Sequence, residues 1–185
     1  MDKDNQKKNS SRRTSSFGRP KPEFDQKMVS IRRVTRVVAG GRRFSFSVAL
    51  IAGDKKGNVG FGLGKAGDTA LAINKALRNA KKNMIKLHLT KSMSIPHEIS
   101  AKFSSSSLKI MPNKGRGLVA GTVVRDILKL AGVKDVTAKV IGGTKNKLNN
   151  SKAVISALSQ ISSKYVKANP ETTIVTNKEV VKEDK

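Results

Sequence analysis

From Val37 to Lys65 large apolar and small or polar residues alternate. Phe44, Phe46, Val48 and Leu50 interleave with Arg43, Ser45, Ser47 and Ala49, which predicts a strand with one buried face. In the next strand Val59, Phe61 and Leu63 alternate with Gly60, Gly62 and Gly64, so one face bears bulky groups and the other bears none. Glycines weaken a strand, and three at this spacing predict that another surface approaches the backbone closely. Gly40-Gly41 and Asp54-Lys55-Lys56-Gly57-Asn58 carry the turn chemistry on either side of the middle strand. An earlier strand over Met28–Ala39 is rich in Val and Ile but imperfectly alternating, which predicts an edge position or a bulge. Asp68 is a predicted N-cap for a helix running to about Met84, with Ala70, Ile73, Leu77, Ala80 and Met84 as its buried stripe. Lys75, Arg78 and Lys82 fall on the opposite side.

A second unit begins where the helical period ends. IKLHL, EISAKF and LKIMP read as extended segments, and Leu118–Ala131 reads as a helix stopped by Gly132. Val136, Ala138 and Val140 then mark a strand, and a last helix is expected to be capped by Asn149 or Asn150, with Val154, Leu158 and Ile161 buried. Residues 1–24 and 164–185 are polar and poor in bulky apolar groups, which predicts a flexible basic arm and a loose tail. The expected division is 1–24, 25–88, 89–163 and 164–185, an α+β chain of two small domains: a three-stranded sheet with one helix, then a sheet with two helices.

Charge changes this picture. Lys and Arg number 38 against 13 Asp and Glu, a formal charge of +25 that calls for an anionic partner. From Gln26 to Gly53 there are six basic residues and no acidic one, and from Thr69 to His97 the same holds. A solvated surface mixes both signs, so two single-sign segments flanking one small sheet read as an electrostatic footprint for nucleic acid. No apolar run approaches the roughly 20 residues of a membrane span and no secretory signal opens the chain, so a cytoplasmic location is expected. With no Cys and only His88 and His97, no metal site is expected.

Catalytic motifs fail on inspection. Gly62-Leu63-Gly64-Lys65-Ala66-Gly67 fits G-x-G-x-x-G, yet nothing acidic lies between Asp68 and Glu98 to hold a ribose, and the preceding strand belongs to a meander of hairpins. The P-loop pattern fails because Val59 and Ala66 occupy its first Gly and its Ser or Thr position. Ser104–Ser107 has only distant His88 and His97 as bases, and no paired carboxylates or Cys nucleophile occur. No enzymatic activity and no cofactor are expected. Gly115-Arg116-Gly117 ahead of the predicted helix could hold a phosphate through backbone amides. Phe44, Phe46 and Phe61 are read as sharing one apolar core face, which favours recognition through phosphates and shape over base stacking.

Several segments resemble the bacterial small-subunit ribosomal protein S5 family over about residues 24–161. They are IRRV at 31–34, GGRRFSFS at 40–47, GD at 53–54, GNVGFGLGKA at 57–66, AINKA at 72–76, GRGLVAG at 115–121, LAGVKDV at 130–136 and GGTKN at 142–146. The resemblance implies a double-stranded-RNA-binding-like first domain without its usual first helix, and a second domain of the ribosomal S5 domain-two-like fold. That second fold is shared with some small-molecule kinases, but here Leu118, Val119 and Ala120 follow Gly117 in place of their Ser-rich phosphate loop. It further implies binding to small-subunit ribosomal RNA at the junction of head and body, support of translational accuracy, contacts with ribosomal proteins S4 and S8, and a position near the path by which messenger RNA enters. The loop Val38–Arg43 would reach RNA near the spectinomycin site. Two positions depart from the family pattern: Ala39 stands where Lys is usual, and Lys147 where Pro is usual.

The expected RNA contacts are Arg32, Arg36, Arg42 and Arg43 in the first hairpin, Lys55, Lys56 and Lys65 around the glycine strand, Lys75, Arg78 and Lys82 on the helix, and Lys114 and Arg116 in the second unit. A free regulatory RNA-binding protein would show the same charge, whereas a nucleotide-dependent enzyme would need an acidic or metal-binding partner for its glycine loops.

Overall fold

A computed structural model describes residues 23–90 and 92–161. The expected tail over 164–185, and all but the last two residues of the expected arm over 1–24, lie outside the described residues. The first unit comprises β1 (Asp25–Val38), β2 (Gly41–Gly53), β3 (Asn58–Ala66), α1 (Thr69–Lys82) and β4 (Met84–Lys86), an antiparallel sheet in chain order with one helix. The second comprises β5 (Ile99–Phe103), β6 (Ser106–Pro112), β7 (Leu118–Val119), α2 (Thr122–Ala131), β8 (Val136–Val140) and α3 (Lys147–Ser159). Its sheet order is β5-β6-β8-β7, with β7 parallel to β8 and the other pairs antiparallel. This is the expected α+β pair of sheets, with β4 added as a short fourth strand of the first. β1 is both an edge strand and bulged, its register shifting between Met28 and Ser30.

The glycine strand meets the helix that follows it. A Cβ built on Gly60, Gly62 or Gly64 would lie under 3.0 Å from the carbonyl oxygen of Ala80, Ala76 or Ala72, respectively. Two strand residues advance roughly 6.6 Å and four helix residues roughly 6 Å, so every second glycine meets every fourth alanine along the contact. The buried stripe of α1 is therefore Ala72, Ala76 and Ala80. This corrects the expected stripe: Ala70 is exposed, and Ile73, Leu77 and Met84 pack half-buried along the flank. The small residues win the contact face because only they let the two backbones approach so closely.

β2 departs from the expected single buried face. From Val48 to Gly53 every residue is buried, because Val48, Leu50 and Ala52 face α1 while Ala49 and Ile51 join a core shared with α2. Phe61, opposite Ile51, belongs to that shared core, Phe46 faces α1, and Phe44 is half exposed. The three phenylalanines therefore do not share one core face.

Other corrections concern helix starts. Leu118–Val119 is a strand against Val136–Thr137, and α2 begins only at Thr122 behind an extended Gly121. α3 is capped by Asn146, whose Oδ1 accepts from the Leu148 N–H at 3.1 Å, and Lys147 takes the first helical position. Asn149 and Asn150 lie inside the helix. Asn150 Oδ1 accepts from the buried Ser106 hydroxyl at 2.7 Å while its Nδ2 donates to the Thr144 carbonyl.

The units join through backbone. In the β2–β3 turn the N–H groups of Lys55 and Gly57 donate to the carbonyls of Leu130 (2.9 Å) and Ala131 (3.0 Å), satisfying acceptors that the end of α2 leaves open. The turn holds its shape through Asp54, whose carboxylate accepts from the Lys56 N–H (2.7 Å), the Asn58 N–H (3.0 Å) and the Asn58 side-chain amide (2.5 Å). Burial pushes the Asp54 carboxyl upward, but these donors outweigh it and hold its pKa below the ordinary value. A depressed carboxylate stabilises the fold fully above its unfolded pKa, near 4, and loses that contribution as pH falls through the folded value. Asp54→Ala should therefore cost about 1–2 kcal/mol at pH 7, and urea unfolding repeated at lower pH should show the gap from the parent closing below about pH 4. A gap constant down to the acid limit would exclude the carboxylate as its source.

Candidate nucleic-acid interface

β1 and β2 outrun the rest of the sheet. β3 pairs with β2 only as far as Phe46↔Ala66, so Val34–Val38 and Gly41–Ser45 project as a two-stranded ribbon closed by Ala39-Gly40. Directly paired residues share a face, so Arg36 opposite Arg43 puts two guanidinium groups on one side. On that side Arg32, Ser47 and Lys65 form a row across three strands. The structure thus gathers Arg32, Arg36, Arg43 and Lys65 on one face, continuous with the face that carries Ala49 and Ile51 under the second unit. Arg42 lies on the other face with Phe44, over which the Arg33 guanidinium sits at 4.7 Å from the ring centroid. Val37 at the tip is 76% exposed.

Beyond β4 the edge of β3 is sheltered by α1. Asn79 Nδ2 donates to the Leu63 carbonyl at 2.6 Å and Lys75 Nζ to the Lys65 carbonyl at 3.4 Å, which blunts an otherwise open strand edge. Here a groove of about 500 Å³ is lined by Lys65, Lys75, Arg78, Lys81 and Lys82 with Leu63, Gly64 and Asn79. Among the described residues five cations and no carboxylate line it. Among the described residues the ion pairs are Lys27–Asp126, Lys55–Asp25 and Lys109–Glu98, so neither the ribbon arginines nor these lysines are neutralised within the fold.

The remaining expected residues stand apart. Lys55 and Lys56 are at the opposite end of the sheet, in the turn bound to α2, where Lys55 pairs with Asp25. Lys114 and Arg116 are exposed on the loop between β6 and β7. That loop does not open a helix as expected: β7 intervenes, and the Gly117 N–H donates to Asp135 Oδ1 at 3.1 Å instead of facing an anion. Arg33 and Lys81 were absent from the expected contacts. Arg33 lies just before the ribbon on the face opposite Arg32, and both are exposed, because a strand open on both sides presents odd and even positions alike. Lys81 lies off the back of the helix, and its ammonium is 5.2 Å from the Phe24 ring centroid.

Among the described residues no group of three or more His, Asp or Glu could hold a metal ion, and no helix is long and apolar enough to cross a membrane. What the arrangement can do is bind phosphates: Arg forks for bidentate contacts on a thin ribbon, and lysines as point charges along a groove.

Both units of the chain are similar to known proteins. Residues 24–88 match the family described as ribosomal protein S5, N-terminal domain, and residues 101–170 match ribosomal protein S5, C-terminal domain. The chain is 44% identical over 162 residues to small ribosomal subunit protein uS5 of Mycoplasmopsis agalactiae, covering 87% of this chain and 68% of that protein. It is 48% identical over 141 residues to uS5 of Persephonella marina, covering 76% and 72%. Against uS5c of Emiliania huxleyi the identity is 41% over 140 residues, covering 75% and 87%.

Proposed function

The chain belongs to the ribosomal protein S5 family, and from that membership we propose how it serves the small ribosomal subunit. It is a non-enzymatic, structural constituent of that subunit and binds its RNA. The finer reading is an electrostatic clamp, carried by one observation: the arginine ribbon stands clear of the body with Arg36 directly opposite Arg43 and, among the described residues, no ion pair to either. Like charges directly opposed across a strand pair cost about 0.2–1 kcal/mol, a cost that RNA phosphates would reverse. In this proposal Arg36, Arg42 and Arg43 enter RNA with the ribbon, Arg32 continues the contact at its base, Lys65, Lys75, Arg78 and Lys82 hold backbone along the groove, and Lys55, Lys56, Lys114 and Arg116 extend the contact.

The clamp so placed would stabilise the arrangement of head and body, support translational accuracy, and bring the chain against ribosomal proteins S4 and S8 near the path of incoming messenger RNA. The domain division near residue 88 is part of the same proposal. Its support is that the chain leaves the first sheet after β4 and starts the second at β5.

Replacing Arg42 and Arg43 together by Ala should lower affinity for small-subunit ribosomal RNA and reduce the slope of log K against log salt by about one to two units, roughly one per lost phosphate contact. Filter binding across a salt series reads this directly. An unchanged slope removes the ribbon tip from the contact.

A further inference from the structure

The second sheet has an open side. Ile99, Ala101, Leu108, Ile110, Val136, Ala138 and Val140 point into the core with α2 and α3. Alternation turns the residues between them outward, and the pairing arranges these in rows across the strands. Ser100, Lys109 and Lys139 form the central row, and Lys102 and Ser107 lie beside it with Ile141 at the end of β8. Met111, Thr137 and Val119 complete the far side. All of these positions are exposed or half-buried, so no described element covers them.

Positive charge predominates on this face, with Lys102, Lys109 and Lys139 against Glu98. Lys109 stands directly opposite Lys139, a like-charge pairing that opposes the strand contact. Among the described residues the ion pair on this face is that of Glu98, whose carboxylate lies 2.6 Å from Lys109 Nζ in an exposed contact of the kind that holds little. Among the described residues neither Lys102 nor Lys139 has an ion-pair partner. Hydroxyls of Ser100, Ser107 and Thr137 alternate with the ammonium groups, and Thr137 Oγ1, which accepts from Asn113 Nδ2 at 2.8 Å, keeps its own O–H to donate outward.

We propose that this open sheet face is a second RNA-binding surface, taking a phosphate backbone across Lys102, Lys109 and Lys139 independently of the ribbon and groove. Lysine and serine are depleted in protein interfaces, whose centres favour aromatic residues, and this face has lysine and serine at its centre and no aromatic residue. Ammonium and hydroxyl donors without base-reading geometry suit phosphate and sugar. The identity of the polyanion rests on the family reading above, while the placement rests on the sheet.

Two measurements test it. Lys102→Gln, Lys109→Gln and Lys139→Gln combined in the full chain should lower the salt slope for purified small-subunit ribosomal RNA by about two units, additively with the change from Arg42→Ala and Arg43→Ala. An unchanged slope overturns the proposal. Because the chain has no cysteine, Lys139→Cys and, separately, Val37→Cys can each carry a single thiol-linked photoreactive group into reconstituted small subunits. RNA adducts from both positions are expected. RNA from position 37 with protein, or nothing, from position 139 overturns the second surface and leaves the ribbon standing, whereas no RNA adduct from either overturns both. If the triple variant fails to fold, the adduct at position 139 decides.

Discussion

Gly62→Ala is expected to destabilise the protein by about 3 kcal/mol or more, beyond the usual range for one added methyl. The new Cβ would sit under 3.0 Å from both the Ala76 carbonyl oxygen and the Ala80 amide nitrogen. These are backbone atoms in the middle of α1, so no side chain can swing aside. Relief requires the whole helix to lift off the sheet, which opens the contacts of Ala72, Ala76 and Ala80 with Val48 and Leu50. Thermal unfolding should fall by about 10 °C, at roughly 3 °C per kcal/mol for a chain of this size. Gly67→Ala is the matched control, since a Cβ there meets nothing within 4 Å and the backbone conformation is ordinary. Equal melting temperatures for the two variants would show that α1 is not held at the separation described.

The function depends on this packing. α1 carries Lys75, Arg78, Lys81 and Lys82 against the edge of β3, so a helix that has lifted no longer forms the groove with Lys65. A loss of RNA affinity in Gly62→Ala would thus follow from geometry, although Gly62 itself contacts no RNA in the proposed clamp.

How much of this was legible in the chain depended on the range of each interaction. The glycine ladder announced a close approach because absent side chains are visible in a sequence. Which residues filled the gap was not visible: ranking by hydrophobicity selects Ile73 and Leu77, whereas the contact selects for smallness and takes Ala72 and Ala76. Alternation in β2 predicts one buried face because the pattern does not reveal α2, which arrives from about seventy residues later to cover Ala49 and Ile51. Leu118–Val119 fits a helix as well as a strand because two apolar residues suit either period, and only pairing with Val136 and Thr137 decides for a strand. The chain does not single out Asn146 over Asn149 and Asn150 as the cap for a similar reason, since all three can cap and the buried Ser106 that engages Asn150 is forty-four positions away. For the binding surface, charge runs identified the right strands and helix, but strand register was needed to sort Arg32, Arg36 and Arg43 from Arg33 and Arg42.

Gly132→Ala is expected to uncouple the two units. Gly132 closes α2 at φ +84°, a left-handed conformation whose change from Gly to Ala costs about 1 kcal/mol by itself. Its position adds far more, because a Cβ there would lie under 3.0 Å from the Lys55 carbonyl oxygen and carbon. From the other side, a Cβ on Gly53 would collide with the carbonyl of Leu130, so the turn and the helix end are in backbone contact from both directions. Backing away would break the bonds from Lys55 N–H to Leu130 and from Gly57 N–H to Ala131, leaving helix acceptors unpaired beside the shared core. A total loss of about 3 kcal/mol follows from strain plus two forfeited hydrogen bonds. Gly115→Ala separates the causes: its φ of +75° is similar, yet a Cβ there meets nothing within 4 Å, so it should lose only the conformational part. In urea unfolding, Gly132→Ala should split one transition into two as the sheets part, and hydrogen exchange at Lys55 and Gly57 should rise ahead of the core. If Gly132→Ala and Gly115→Ala lose the same stability in a single transition, the backbone junction does not couple the units.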